Sequence, residues 1–271
     1  MKESAKSTCI KYALILSVVV WFLILIMLPI LGILKEVIGH GLSIFVASIS
    51  TPASRHAFKL TLIITTMAIF FNTLLGTMMA LVLVKQNFRG KLILEGVVDL
   101  PFAVSPVVAG FMFIILFGPK GWLGSWFSAC NIKIIYALPG MIVATLFVTF
   151  PFVVREVIPV LNEFGLEQEE AAYILGASKW QTFWKVTLPS IKWGLIYGIT
   201  LTFARSIGEF GAVLVVSGSI INRTQTATLL IHQQFTDFNY AGAFSASMIL
   251  ALLSFTILIV MQYLYKKKEA T

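Results

Sequence analysis

Charged side chains are scarce in this chain. They make up 12% of its 271 residues, about half the roughly 25% of an average soluble domain. With 58% of the residues hydrophobic, a water-covered globule of this size is excluded, because it would expose large apolar patches that drive association. Cysteine is nearly absent, with only Cys9 and Cys130, which excludes a disulfide framework. Histidine is limited to His40, His56 and His232, scattered at no metal-ligand spacing, so neither a metal nor a catalytic histidine is expected. A nucleotide-binding phosphate loop is also missing. Gly90-Lys91 is followed by Leu92 and lacks the upstream glycine of G-x-x-x-x-G-K-[ST].

What is present is a series of long apolar runs. A helix needs about 20 apolar residues to cross a hydrocarbon core of about 30 Å, and irregular backbone in lipid would leave its polar groups unsatisfied. Six stretches qualify, near 12–34, 60–84, 97–117, 138–154, 193–216 and 243–265. The fold class expected is therefore an all-α integral membrane protein with six transmembrane helices. The first run follows Lys2, Lys6 and Lys11, as in a secretory signal, but it is too long and no A-x-A site follows. It is expected to stay as an anchor.

The basic residues orient these spans. Of 20 Lys and Arg, thirteen fall on the side that holds both termini and six on the other, with Arg205 alone inside a span. By the positive-inside rule the richer side is cytoplasmic, so both termini are expected inside, as tails 1–11 and 266–271 flanking one membrane domain, 12–265. The net charge of +8 then reads as topology and not as nucleic-acid binding. The two cysteines fall on opposite sides of the membrane, so no intrachain disulfide is expected.

The longest cytoplasmic segment, 155–192, reads as helix, break, helix. Glu167, Glu169 and Glu170 oppose the positive end of a first helix dipole. Gly176 can take the left-handed conformation that ends that helix. Ser178 and Gln181 fit a capping box for a second short helix, which Pro189 is expected to stop before the fifth span. Trp180, Phe183 and Trp184 fall on one face of it. Two readings stand for these aromatics: anchoring at the membrane surface, or a docking face that enters a groove on a cytoplasmic partner.

Within this segment Glu170, Ala171, Ala172, Gly176, Val186, Leu188 and Pro189 follow the pattern E-A-A, three residues, G, nine residues, a β-branched apolar residue, one residue, L-P. This resembles the signature of permease subunits of ABC importers, with Val in place of the usual Ile. The resemblance implies the type I importer permease fold and a loop that seats in a separate ATP-binding subunit. Glu170, Ala171, Ala172, Gly176, Ser178, Trp180, Phe183, Leu188 and Pro189 would then carry the coupling. Glu170 would face the partner or order the loop, not act as a general base. No catalytic residue and no cofactor are expected in this chain; ATP and Mg would lie in the partner ATPase.

Further likenesses are more specific. The run from Asp99 to Gly110, DLPFAVSPVVAG, then Pro151 to Glu156, PFVVRE, and Gly208 to Val213, GEFGAV, which closes with Val216 to Ile220, VSGSI, are similar to the W-type permease family of sulfate/thiosulfate importers. The run from Ile221 to Thr228 departs from that family's loop. The resemblance implies a T-type second permease subunit in a heterodimer, two ATP-binding subunits, a periplasmic sulfate/thiosulfate-binding protein, and a place in the bacterial cytoplasmic (inner) membrane. Its relatives for molybdate or tungstate, or the T-type sulfate permease itself, are the alternative, and a secondary anion transporter a more remote one.

The residues offer an anion several groups. Thr202, Arg205, Ser206 and Glu209 are expected on one face of the fifth helix, with Gly194 and Gly198 continuing it, and Arg205 near mid-membrane. An intramembrane charge needs a partner, and Arg205 and Glu209 are four apart. The pair either locks this helix against the second permease subunit, or lends positive potential to a passing oxyanion while Glu209 prevents trapping. Pro101 and Pro106 interrupt the third span, which places Ser105 and Pro106 either beside the pathway or at a packing kink. Ser217 and Ser219 are candidates for the outer gate. Asp99 and Glu95 are expected to pair with Lys85, Arg89 or Lys91.

Overall fold

The computed structural model describes the backbone of residues 2–165 and 167–269, and the side chains of that range except those of residues 2–9, 42, 262 and 264–269. The side chains of Cys9, Lys2, Lys6 and the basic residues 266–268 thus lie outside the described residues, as do residues 270 and 271. All regular elements among the described residues are helical. In chain order they are α1 (Lys2–Phe22), α2 (Leu28–His40), α3 (Leu42–Ser50), α4 (Pro52–Lys85), α5 (Lys91–Ala103), α6 (Pro106–Phe117) and α7 (Gly124–Ala129). There follow α8 (Leu138–Phe164), α9 (Glu167–Ile174), α10 (Lys179–Thr182), α11 (Leu188–Ile207), α12 (Gly211–Ser217), α13 (Ala227–Thr236) and α14 (Tyr240–Glu269).

Four helical stretches are long and apolar enough to cross a membrane: Ile10–His40, Pro52–Lys85, Leu138–Phe164 and Tyr240–Met261. Two bent pairs, Lys91–Ala103 with Pro106–Phe117 and Lys179–Ile207 with Gly211–Ser217, raise this to six when each pair counts as one span. The count of six therefore holds only with two of the spans broken. The third is not one straight span over 97–117, because its second half is bent by 113° from the line of the first. Pro106 lacks the N–H that would continue the ladder and forces Ser105 into an extended conformation (φ −57°, ψ 135°). Pro101 does not break the chain. It lies buried inside α5.

The chain forms two units. One combines residues 1–51 with 231–249, and the other 52–230 with 250–271. In the first, Ile10–His40 is a helix interrupted by a π turn at Leu23–Met27, and nearly all its large apolar side chains, from Tyr12 to Leu31, are exposed. An apolar surface of that length has lipid or another subunit as its solvent.

In the second unit α8 is the central helix, packed along α4 and α11 and against α5 and α12. The buried stripe of α4 is made largely of small residues, Ser54, Ala57, Thr61, Thr65, Ala68, Asn72, Gly76 and Ala80, at spacings of three and four. Small residues let backbones approach closely where lipid supplies no hydrophobic drive between helices. Val153 of α8, fully buried, fills the space between two such positions. A Cβ on Gly76 would stand 3.0 Å from the Val153 Cβ, and one on Gly198 of α11 would stand 2.9 Å from the Val153 Cα. Within this packing, Asn72 Nδ2 donates to Thr149 Oγ1 at 2.7 Å.

Two boundaries differ from the sequence expectation. The fourth helix does not end at 154 but runs to Phe164, so 155–164 belong to the helix and not to a loop. Pro189 does not stop the second helix of the 155–192 segment. Lys179–Ile207 is a single helix that passes through a π turn at Phe183–Thr187. The carbonyl that Pro189 cannot bond, that of Lys185, lies inside this widened turn, where a missing N–H does least harm.

Candidate functional site

The 155–192 segment builds a small helical knob. α9 ends in a Schellman motif: Gly176, at φ +83°, stands at C′, Ala177 N donates to Ala172 O at 3.0 Å, and Gly176 N donates to Tyr173 O at 2.9 Å. Ser178 then opens α10 with a capping box, its N donating to Gln181 Oε1 at 2.9 Å and its Oγ accepting from Gln181 N at 3.3 Å. Trp180, Phe183 and Trp184 contact one another, ring against ring, at centroid distances of 5.6–6.3 Å. The knob is bare: Ile174 and Leu175 are 86% and 87% exposed, Trp180 70% and Trp184 50%. Glu170 and Ala171 are exposed beside them, and Leu188 and Pro189 begin α11 immediately below.

Of the acidic residues in α9, Glu169 is the buried one. Its carboxylate accepts from Lys85 Nζ at 2.5 and 2.6 Å and from Thr187 Oγ1 at 2.5 Å. Sequence reasoning missed this cluster because its members are 84 and 18 residues apart. The expected partners of Asp99 were also wrong. Lys85 is taken by Glu169, and Asp99 of α5 accepts two hydrogen bonds from Arg155 of α8, one of them from Nε at 2.8 Å.

The second region joins the two helix breaks. A Cβ on Gly211, the first residue of α12, would stand 3.1 Å from Pro106 Cβ and 3.3 Å from Val107 N. One on Gly110 would stand 2.7 Å from Val215 Cβ, so α6 and α12 lie in close contact with their N-terminal ends together. The stretch holding Ser105 and Pro106 is thereby brought beside the one holding Glu209. Arg205 occupies the last turn of α11, and Glu209 lies beyond the helix end at Ile207, in the break. The expectation of one continuous face carrying Thr202, Arg205, Ser206 and Glu209 is therefore corrected at Glu209.

The Arg205–Glu209 pair forms across that break, Nη1 to Oε2 at 2.6 Å. Arg205 favours the negative end of α11, and the buried Glu209 favours the positive end of α12, where Oε1 accepts from Ala212 N at 2.9 Å. The Oε2 contact is an ion pair without hydrogen-bond alignment. The Arg205 side chain keeps 35% of its surface exposed while that of Glu209 keeps 1%. The hydroxyls of Thr202 and Ser206 are buried with no hydrogen-bond partner.

Ser217 ends α12, about 9 Å from Gly211 at 1.5 Å per residue, and Ser219 follows it in the loop. Ser217 is fully buried, and its hydroxyl accepts from Ser219 N at 3.1 Å, so it orders the loop after α12. The cleft of about 610 Å³ between α8, α11 and residues 258 and 261 carries Glu156 and Glu163. Two carboxylates make it a poor place for an anion.

Residues 72–269 match the family model described as the inner membrane component of binding-protein-dependent transport systems. The chain is 44% identical over 262 residues to "Sulfate transport system permease protein CysW" of Synechocystis sp., covering 97% of this chain and 95% of that protein. It is 39% identical over 238 residues to "Sulfate transport system permease protein CysT" of Escherichia coli, covering 86% of each. Its fold is that of a subunit in the crystal structure of a bacterial alginate ABC transporter in complex with alginate pentasaccharide-bound periplasmic protein. The TM-score is 0.81 at 19% identity, covering 98% of this chain and 96% of that one.

Proposed function

The chain belongs to the family of inner membrane components of binding-protein-dependent transport systems, and from that premise we propose that it is the W-type permease subunit of an ATP-driven sulfate importer. The observation that carries the reading is the bare knob of α9 and α10, a rigid pair of short helices presenting Ile174, Leu175, Trp180 and Trp184 to the outside. Apolar surface exposed beyond the spans marks a protein interface, and a helical face of this kind enters a groove on a partner. The likeness to sulfate permeases over nearly the whole chain supports the cargo. It favours the W type over the T type, whose relative is less similar.

In this reading the complex holds a T-type subunit, two ATPase subunits that bind ATP and Mg, and a periplasmic binding protein that delivers sulfate or thiosulfate. Both termini and the knob lie on the cytoplasmic side of the bacterial inner membrane. Glu170, Ala171, Ala172, Gly176, Ser178, Trp180 and Phe183 form the docking element, and Leu188 and Pro189 join it to α11. ATP-driven closure pushes the knob, and the push passes into α11 and through α8 into the bundle.

The paired breaks form this chain's part of the anion path. Sulfate is strongly hydrated and doubly charged, so a passage must replace water with hydrogen-bond donors without holding the ion. The partly exposed side chain of Arg205, the hydroxyl of Ser105 and the buried, unpartnered hydroxyls of Thr202 and Ser206 suit that task, and irregular backbone at Pro106 is tolerated where it lines a cavity. Glu209 neutralises Arg205 enough to prevent a trap. Arg205→Gln is expected to lower labelled sulfate uptake by about ten-fold, the loss of one charge-assisted contact, with the complex still purifying whole. Loss of assembly would instead give the pair a helix-locking role.

A further inference from the structure

α9 is held to the rest of the molecule in an unusual way. Of its eight residues only Glu169 is buried, while Tyr173, Ile174 and the following Leu175 are open. A helix this short has little stability of its own and relies on tertiary contacts, yet the buried contact here is a carboxylate. Its two oxygens are engaged by Lys85 Nζ, and one of them also by Thr187 Oγ1. Lys85 is the last residue of α4, and Thr187 is the last residue of the π turn that feeds α11. One carboxylate therefore joins the knob to two membrane helices, and both of those pack directly on α8.

We infer that Lys85, Glu169 and Thr187 form the joint that converts movement of the docking helix into movement of α4 and α11. This deepens the importer reading and rests on it. The chemistry suits a joint. An ion pair with 6% of the carboxylate side chain and 24% of the lysine side chain exposed is little screened by salt, and the Thr187 hydroxyl on one oxygen adds a second direction to the hold of the lysine. An apolar contact of the same area would slide. The lysine is favoured at the carbonyl end of α4. The chain from Lys85 to Gly76 and Val153 is continuous helix and close-packed side chain, with no loop to absorb the motion.

Glu170, exposed next door, faces away from this joint and is left for the partner. The two adjacent glutamates thus divide the work, with Glu169 a positioning residue turned inward and Glu170 turned outward.

The test uses the whole complex in proteoliposomes with its binding protein, and measures labelled sulfate uptake and ATP hydrolysis together. Wild type is compared with Glu169→Gln, Lys85→Met, and the reversed pair Lys85→Glu with Glu169→Lys. Uptake per ATP hydrolysed is expected to fall about ten-fold in each single variant, within the usual range of coupling between sites, and to return to within about three-fold of wild type in the reversed pair. An unchanged ratio in the single variants overturns the joint, and so does a reversed pair no better than they are. The latter comparison also decides the matter where a single variant fails to assemble. The wild-type arm separates the two readings: if it carries a different oxyanion, the cargo is wrong, and the same ratio taken with that anion still tests the joint.

Discussion

Val153 shows what the interior of this membrane protein demands at the scale of one residue. It is fully buried between Gly76 and Gly198, so any side chain at either glycine meets it. Gly198→Ala is expected to destabilise the purified protein by about 1–3 kcal/mol through overpacking, seen as a lowered Tm in detergent. Gly96→Ala, in a helix with nothing within 4 Å, should be neutral or stabilising by about 0.5–1 kcal/mol. Gly198 was readable in the sequence as continuing the face of Thr202, Arg205 and Ser206. The partners of Lys85, Asp99 and Glu169 were not, because ion pairs 84 and 56 residues apart depend on how helices pack, which local spacing does not encode.

Elements tell a different story, because their signals are local. The Ser178 capping box and the left-handed Gly176 follow from neighbours within five residues, and both are present as the spacing requires. Ser178→Ala should cost about 1 kcal/mol of local stability and speed proteolytic nicking between residues 165 and 182, measured by mass spectrometry of the fragments.

Proline was harder to read. Of the four Leu-Pro pairs, at 28–29, 100–101, 138–139 and 188–189, the first and the last follow a five-residue π turn, and at Pro189 the helix widens where the sequence suggested a stop. Pro189→Ala restores the N–H and should let that turn tighten to α geometry, rotating α10 by about 100° relative to α11 and moving Thr187 off Glu169. Coupled uptake should then fall although helix content is kept, which circular dichroism would check. The 113° bend at Ser105 and Pro106 shows the other outcome. There the helix breaks, whereas Pro101, Pro151 and Pro159 lie inside helices with no widened turn before them.

For the molecule as a whole, scarcity of charge decided the environment, and the placement of the few charges decided the rest. In the importer reading those outside the spans orient the chain with both termini inside, and a C-terminal reporter that is active only in the cytoplasm should then be active when fused after Thr271. Arg205 and Glu209 at the helix break pair as their spacing allows, whereas Glu169 of the knob is paired with Lys85, a partner that only the folded chain supplies. The apolar runs were legible, whereas only one of the two breaks carried a proline signal, at Pro106; the other falls between Ile207 and Gly211, where no proline stands. The central claim is that this bundle moves sulfate at the expense of ATP hydrolysed by a partner. The most direct measurement is uptake of labelled sulfate into proteoliposomes that hold the complete complex with its binding protein. The account predicts uptake that requires both ATP and the binding protein and is competed by excess thiosulfate. Uptake that persists without ATP, or that follows an imposed ion gradient, would contradict it.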